Sequence, residues 1–576
     1  MNRSMKIINH TEALKHALIT LMIVAVSAGT YANAESPEAL SQPQFKIVVE
    51  KDVQIPMRDG SYVVADVFRP DADGQFPILM SMGPYQKDLD YLPHGAAPYG
   101  HRETENPEWW VPRGYIQIRV DARGTGKSPG TAKLLSHQES LDFYDSIEWA
   151  AKQDWSSGKV GLSGVSYYGI TQWSVASLQP PSLKAIIPWE GFSNLYRDAV
   201  FHGGIFNSGF MGYWLNHVRA RQLLEHTRDS NPNGIEDNLL WESMVNNLDT
   251  DYWGTVRARP DLPSIKIPVY SVGNWGGWKL HLRGNVEGYS QVSSKFKKLR
   301  LHTGGHTEAF YSDEGQQDRL RFFDYWLKGI DTGIVDEPPV KVFVRTGKTL
   351  QIDPFKSETP GFWRDENEWP IARTEYKKWY LSEDRANYGK RALNDGTLNN
   401  ESGDTQHVAT VSAGVDTWTR KVQHTPVLTY VTPPFEEDTE ITGHVKLKIW
   451  VSSDTGDMDV FAKLHHLDEA GEYYQMSQGL LKVSHRKLDE ERSTDYRPFH
   501  SHDEEQKLAP DEVVAVEVEI WPTSAVFKKG ERLAVEIAPH NPAYYDGVYN
   551  NGTHKLYSGG DTPSYLQVPV VPARAK

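Results

Sequence analysis

The hydrophobic period of this chain changes once along its length, and that change limits the architecture more than any other feature. From about residue 45 to 345, short apolar runs alternate with segments of helical spacing. The runs are Phe76 to Met82, Tyr115 to Val120, Val160 to Leu162, Ala185 to Pro188, Val269 to Val272 and Leu299 to Thr303. Such alternation implies a mostly parallel sheet with helices on its faces. Beyond about 350 the period becomes two. Val445, Leu447, Ile449 and Val451 alternate with Lys446, Lys448 and Trp450, and Val514, Val516, Val518 and Ile520 alternate with Ala515, Glu517 and Glu519. With Val460 to Leu464 and Arg532 to Ile537 added, the second region reads as an antiparallel sandwich of jelly-roll type. Residues 351 to 374 are polar and proline-containing and read as a connector, which leaves 375 to 576 for the sandwich.

Helices are placed within the first region by their caps. Ser136 followed by Glu139 forms a capping box before Leu141, Tyr144, Ile147 and Ala151. A second helix starts at Ser166. A third runs from about Gln317 to Lys328, with Gly329 as its stop. Residues 193 to 262 are aromatic-rich and too long for a simple crossover, so they read as a helical cap inserted over one end of the sheet.

At 576 residues the chain exceeds the size of one domain. Its first 34 residues read as a secretory signal: Arg3, Lys6 and Lys15 precede an apolar run from Ala17 to Ala28, and Ala32-Asn33-Ala34 forms the cleavage signature. The region of alternating strands and helices then occupies 35 to 350. An exported product, periplasmic or secreted, is expected, with no membrane span after cleavage. The formal charge is −15, and removal of the basic leader leaves about −17. An acidic chain without a basic run argues against nucleic acid as a partner, because such binding draws on Lys and Arg against phosphates. There is no cysteine, so disulfides, thiolate metal sites and cysteine nucleophiles are excluded.

The chemistry concentrates in the first region. The run Val160 to Leu162 leads into Gly164-Val165-Ser166-Tyr167-Tyr168-Gly169 and then into a helix. A nucleophilic serine needs such a sharp strand-to-helix turn, with small neighbours and a helix N-terminus that favours developing negative charge. The spacing is one residue longer than in the usual elbow. Downstream, Gly304-Gly305-His306-Thr307 puts a histidine on the loop after the last strand, where a general base for Ser166 belongs. His302 lies four residues before His306, but in an extended strand the two stand about 13 Å apart, unlike the two histidines of a zinc-binding helix. Gly124-Thr125-Gly126-Lys127-Ser128 imitates a phosphate-binding loop, yet Asp121 stands where its first glycine should be, and Pro129-Gly130 follows instead of a helix.

The elbow, together with Asp121-Ala122-Arg123-Gly124-Thr125-Gly126-Lys127-Ser128 and Gly83-Pro84-Tyr85, resembles the CocE/NonD hydrolases, which include cocaine esterase, the α-amino-acid ester hydrolases and the S15 X-Pro dipeptidyl-peptidases. Ile441-Thr442-Gly443, Val451-Ser452-Ser453-Asp454 and Lys529-Gly530-Glu531-Arg532-Leu533 resemble the family's C-terminal domain. The resemblance implies an α/β-hydrolase domain with a helical cap followed by an all-β jelly-roll domain. It also implies an oxyanion hole made by the Tyr85 hydroxyl and the backbone N–H of Tyr167. The sequence departs from the family at one place. Where the family carries its catalytic aspartate, this chain reads Gly273-Asn274-Trp275-Gly276-Gly277-Trp278, with Gly276 at the acid's position. A triad needs a carboxylate to orient the imidazole. Trp189-Glu190-Gly191 ends the strand next after the elbow helix, on the same side as Ser166 and His306, so Glu190 is the expected acid. Glu308 and Asp313 on the histidine's own loop are weaker candidates, and Arg197 competes as a partner for Glu190.

The expectation is a serine hydrolase, Ser166–His306–Glu190, acting on a small-molecule or peptide acyl substrate without a cofactor, either as an acyl esterase or as an X-Pro dipeptidyl-peptidase. The alternative, prompted by Gly276, is a catalytically impaired scaffold that binds carbohydrate or protein.

Overall fold

The computed structural model describes residues 39–88, 103–221, 238–277, 279–346, 359–384, 396–413, 427–541 and 551–573. The expected signal segment therefore lies outside the described residues. Residues Ala39–Lys576 form one compact unit.

The six apolar runs of the first region become strands of one sheet, joined by two strands before them and two after them. In chain order these are β1 (Ile47–Pro56), β2 (Tyr62–Pro70), β3 (Phe76–Gly83), β4 (Ile116–Asp121), β5 (Ser156–Val165), β6 (Leu183–Trp189), β7 (Val269–Asn274), β8 (Lys297–His302), β9 (Val340–Thr346) and β10 (Gly361–Glu366). Their spatial order is β1-β2-β4-β3-β5-β6-β7-β8-β9-β10. From β4 to β9 every pairing is parallel. Strands covered on both faces can be apolar throughout, which is why these segments read as runs rather than alternations. The register brings Gly83 opposite Asp121, Val165 opposite Trp189 and Asn274 opposite His302. The loops after β3, β5, β6, β7 and β8 thus emerge along one edge, the crevice where open parallel sheets bind ligands.

Helix α1 (His137–Ala151) opens as its cap predicts, with the Ser136 side chain accepting the Glu139 N–H. The Glu139 carboxylate reaches back to Leu135 N–H at 2.7 Å and also accepts the Tyr167 hydroxyl. The buried face runs through Phe143, Ile147 and Ala150, while Leu141, Tyr144 and Ala151 are only half-buried. Tyr144 and Ala151 still pack against the core, and Asp142 turns inward to pair with Arg123 at 2.6 Å. Helix α2 (Tyr167–Ser177) follows the elbow. In the segment read as a cap, α3 (Ser208–Arg221) packs Met211, Leu215 and Val218 into a cluster with Tyr85, Tyr167 and Phe192. Helix α4 (Leu282–Gln291) follows β7. The third expected helix is α5 (Asp313–Phe323), capped by Ser312, and a wider turn through Asp324–Lys328 carries it to Gly329 at φ 77°.

The imitation phosphate loop is explained by Asp121. Its carboxylate accepts the backbone N–H groups of Lys87 and Lys127 at 2.6 and 2.9 Å, and a Cβ at Gly126 would lie 2.2 Å from it. Lys127 turns away to Asp52 at 2.7 Å.

The second region is mostly antiparallel, as its period of two suggests, with Gly396–Asn399 and Leu428–Val431 pairing parallel. The strand Thr439–Ser453 pairs with Val514–Phe527 over nearly its whole length. Val445, Leu447, Ile449 and Val451 on its inward face are fully buried. The two regions share a seam rather than a free linker. Gly361–Glu366, inside the stretch read as a connector, forms β10 against β9, and β9 continues into parallel pairing with Val514–Phe527 at Arg345 and Ala525. Arg345, fully buried at this seam, donates to Ser524 O at 2.9 Å and to Thr523 Oγ1 at 2.6 Å.

Candidate functional site

Ser166 sits at φ 60°, ψ −118°, a backbone conformation that a side-chain-bearing residue holds only when its surroundings enforce it. The enforcement is visible. Ser166 N–H donates to Trp189 O at 3.0 Å and Val165 N–H donates to Glu103 O at 2.9 Å. The longer Gly-x-Ser-x-x-Gly spacing also has a cause. A Cβ at Gly169 would lie 2.7 Å from Trp189 O, and one at Gly191 would lie 2.5 Å from the Gly169 carbonyl carbon. The two glycines let α2 press against the end of β6, which brings Glu190 close to the nucleophile.

Glu190 is fully buried and has its backbone at φ 41°. Its Oε2 accepts His306 Nδ1–H at 2.7 Å, and its Oε1 accepts Asn274 Nδ2–H at 3.1 Å. Burial alone would raise its pKa, but the charges and hydrogen bonds of His306 and His302 outweigh that and hold the carboxyl at about 2. It is therefore an anion at any pH at which an imidazole can act as a base. Arg197 is occupied elsewhere, with Asp249 at 2.9 Å. Glu308 accepts Gly305 N–H at 3.3 Å, and Asp313 is the first residue of α5.

Three participants were missed by the sequence reading. Asn274 holds Glu190, donates also to Gly304 O at 3.0 Å and accepts Gly276 N–H at 2.8 Å. It ties the end of β7, where Gly276 stands, to the carboxylate on β6. Counting extended residues sets His302 apart from His306. In fact β8 ends at His302 and the chain turns at Gly304 (φ 104°), so that His302 Nε2 lies 3.3 Å from Glu190 Oε1 and both histidines flank one carboxylate. His281, one residue before α4, places Nε2 3.3 Å from Ser166 Oγ. Its ring stacks on His306 at 5.4 Å with 5° between the planes, and on Phe192 at 5.7 Å. Burial and the neighbouring His306 push its pKa down to about 3, so it is a neutral imidazole near pH 7.

Tyr85 follows the turn after β3, and its hydroxyl accepts Trp214 Nε1–H from α3 at 2.8 Å. Its ring packs edge-on against Tyr167 and Tyr168 at 5.7 and 5.9 Å. Tyr167 heads α2, in the turn where helix N–H groups lack intrahelical acceptors. Ser166, Glu190, His306, Tyr85 and His281 all border one cavity of about 660 Å³, with Ile170, Phe192, Phe210, Met211 and Trp214 among its walls. Among the described residues no cluster of His, Cys, Asp or Glu is arranged to hold a metal ion. The arrangement presents a hydroxyl at a helix N-terminus, an imidazole backed by a buried carboxylate and a phenol within an apolar chamber.

Residues 59–308 match the family model of the S15 X-Pro dipeptidyl-peptidases, and residues 332–567 match that of the X-Pro dipeptidyl-peptidase C-terminal non-catalytic domain. A crystal structure of a CocE/NonD family hydrolase from Staphylococcus aureus is 35% identical and superposes with a TM-score of 0.79, covering 91% of this chain and 94% of that one. The chain belongs to the CocE/NonD hydrolases. Cocaine esterase from a Rhodococcus strain is 24% identical over 91% of this chain and 98% of its own length. An α-amino acid ester hydrolase shares the fold at a TM-score of 0.64 with 18% identity, covering 95% of this chain and 100% of its own. As a CocE/NonD member the chain is a hydrolase of the serine esterase and peptidase type, and its second region corresponds to the family's non-catalytic domain.

Proposed function

We propose that this CocE/NonD hydrolase is an exported enzyme that cleaves carboxylic ester or amide bonds through an acyl-enzyme on Ser166. The observation that carries the reading is the 2.7 Å bond between His306 Nδ1 and Glu190 in the cavity that also holds the strained Ser166 elbow. His306 takes the Ser166 proton as Oγ attacks the carbonyl carbon, and Glu190 fixes the tautomer and stabilises the imidazolium that forms. The tetrahedral oxyanion is met by the Tyr85 hydroxyl and the Tyr167 N–H. The phenol oxygen accepts the Trp214 indole N–H at 2.8 Å, which fixes where the hydroxyl sits. Collapse expels the leaving group with the proton from His306. Water, deprotonated by the same imidazole, then attacks the ester and frees Ser166. The neutral His281 imidazole beside Oγ orients the hydroxyl before attack. Glu190 thus replaces the family aspartate that Gly276 lacks. The C-terminal region is read as a jelly roll that supports the chamber.

A fluorophosphonate probe tests this directly. Labelling of Ser166, abolished in Ser166→Ala and slowed in His306→Ala, is the expected result. A folded chain that takes no label and hydrolyses no activated ester would overturn the reading.

A further inference from the structure

The stretch Asp121-Ala122-Arg123-Gly124-Thr125-Gly126-Lys127-Ser128 imitates a phosphate loop, and the hydrolytic steps give it no part. Its place in the fold supplies one. Strands β3 and β4 lie side by side in parallel, with Gly83 opposite Asp121. Beyond that pair β3 turns into Pro84-Tyr85-Gln86-Lys87, and β4 turns into the glycine loop. The two turns are fastened to each other. Ala122 N–H donates to Gly83 O at 3.1 Å, and Asp121 Oδ1 accepts Lys87 N–H at 2.6 Å. Tyr85 lies between those two bonds in the chain. From this geometry we infer that Asp121 is a positioning residue of the oxyanion hole, setting the Tyr85 phenol through the backbone of Lys87.

The inference rests on the reading of Tyr85 as an oxyanion donor and adds the group that holds it there. Gln86, between Tyr85 and Lys87, has φ 73°, a conformation that a side-chain-bearing residue keeps only when its surroundings enforce it. The turn therefore depends on bonds from outside itself. Asp121 is suited to provide them, because it is buried and fixed at three points. Its Oδ2 accepts Lys127 N–H at 2.9 Å, its backbone O accepts Ser128 Oγ–H at 2.7 Å, and Oδ1 is left for Lys87.

The glycines serve the same contact. A Cβ at Gly126 would lie 2.2 Å from Asp121 Oδ2, and one at Gly124 would lie 2.1 Å from Ala132 N. The closely folded loop delivers Ala132, Leu134 and Leu135 to the apolar cluster that contains Tyr85 and Tyr167. Lys87 is also anchored by its side chain, which is fully buried and pairs with Asp66 on β2 at 2.8 Å and Asp52 on β1 at 2.5 Å. The turn is thus tied to three strands, and the phenol meets its other fixed point at Trp214 Nε1. Such rigidity matters for an oxyanion donor, since a misplacement of about 1 Å can cost about 10²-fold in rate.

Asp121→Ala removes both acceptor oxygens, and Asp121→Asn keeps one. Burial raises the Asp121 carboxyl to about 7 against the pull of the Lys127 and Lys87 N–H groups, so the site accommodates an uncharged side chain of this size. Each variant is assayed with a p-nitrophenyl ester, alone and in the Tyr85→Phe background. Alone, Asp121→Ala should lower kcat by at least about tenfold and Asp121→Asn by about threefold, with KM within about twofold. In the Tyr85→Phe background neither should lower kcat by more than about 1.5-fold, because the hydroxyl they position is gone. A general structural role would remove the same factor in both backgrounds, and that result overturns the inference. So does full kcat in the folded variants. Should Asp121→Ala fail to fold, Asp121→Asn decides the comparison. If Tyr85→Phe alone retains full kcat, the oxyanion role of Tyr85 falls and this inference with it, while the acyl-enzyme on Ser166 stands.

Discussion

Two imidazoles lie parallel in this chamber with ring centres 5.4 Å apart, and their surroundings give them opposite characters. His306 has a buried carboxylate on Nδ1 and a side chain open to the cavity. His281 is buried with its pKa pushed down to about 3, its Nδ1 has no hydrogen-bond partner among the described residues, and its Nε2 is the atom 3.3 Å from Ser166 Oγ. Proximity alone would select His281 as the base. In the proposed mechanism the base is His306, because proton transfer creates a cation and the Glu190 carboxylate accepts the His306 Nδ1–H at 2.7 Å.

The largest test exchanges the two. His306→Ala should lower kcat by about 10³-fold or more, with the residual rate supplied by the oxyanion donors and binding. If His281→Ala proved the more damaging of the two, the comparison would be reversed. Next comes the carboxylate. Glu190→Gln keeps size and hydrogen bonding but removes the charge, and the corresponding change in a serine protease lowers kcat by about 10⁴, so a fall of at least about 10² is expected here. Loss of the anion also disfavours the imidazolium, so the acid limb of kcat/KM should move to lower pH. In that background Gly276→Asp should recover part of the rate, since Asn274 already bridges the end of β7 to the carboxylate site. Should Glu190→Gln stay within about threefold of the natural chain while Glu308→Gln or Asp313→Asn fails, the acid lies on the histidine loop.

Tyr85→Phe comes next in size. A hydroxyl that acts on the oxyanion works mainly in the transition state, so kcat should fall by about 10² to 10³ with little change in KM. A variant with full kcat would reduce Tyr85 to a packing partner of Tyr167 and Trp214.

The sheet and the elbow were legible in sequence because burial on both faces and a strand-to-helix turn leave contiguous signals. The departure at Gly276 was equally legible as an absence, and it directed attention to the end of β6, where Glu190 meets His306. His281 and Asn274 left no such trace. Each is brought to the site by a turn whose path depends on non-local contacts, and neither residue type is unusual beside a strand end. The shared contact of His302 and His306 with Glu190 left no trace for a related reason: counting extended residues assumes that the strand continues, and β8 stops at His302. The buried face of α1 was legible in part: Ile147 is in the core and Tyr144 and Ala151 pack against it, while the buried Asp142–Arg123 pair holds polar atoms that a hydrophobic pattern assigns to solvent.

The smallest expected effect separates the histidines most cleanly. His281→Phe preserves an aromatic ring between Phe192 and His306 but removes Nε2 from Ser166 Oγ. The loss of hydroxyl orientation should lower kcat by about tenfold, while the acid limb of the rate profile stays where His306 sets it. Stability should respond in the opposite sense at low pH. With its pKa depressed to about 3 in the fold and near 6.5 when unfolded, His281 binds a proton only in the unfolded chain between those values. The natural chain therefore loses stability as pH falls from about 6.5 toward 3, at about 1.4 kcal/mol per pH unit for this one group. His281→Phe should take up one proton fewer on unfolding at pH 5, measured from the pH dependence of denaturant midpoints, so its stability relative to the natural chain should rise as the pH is lowered. If the proton uptake is unchanged, His281 is not the buried neutral imidazole described here, and its distance from Ser166 would then have to be read as a contact made by a cation.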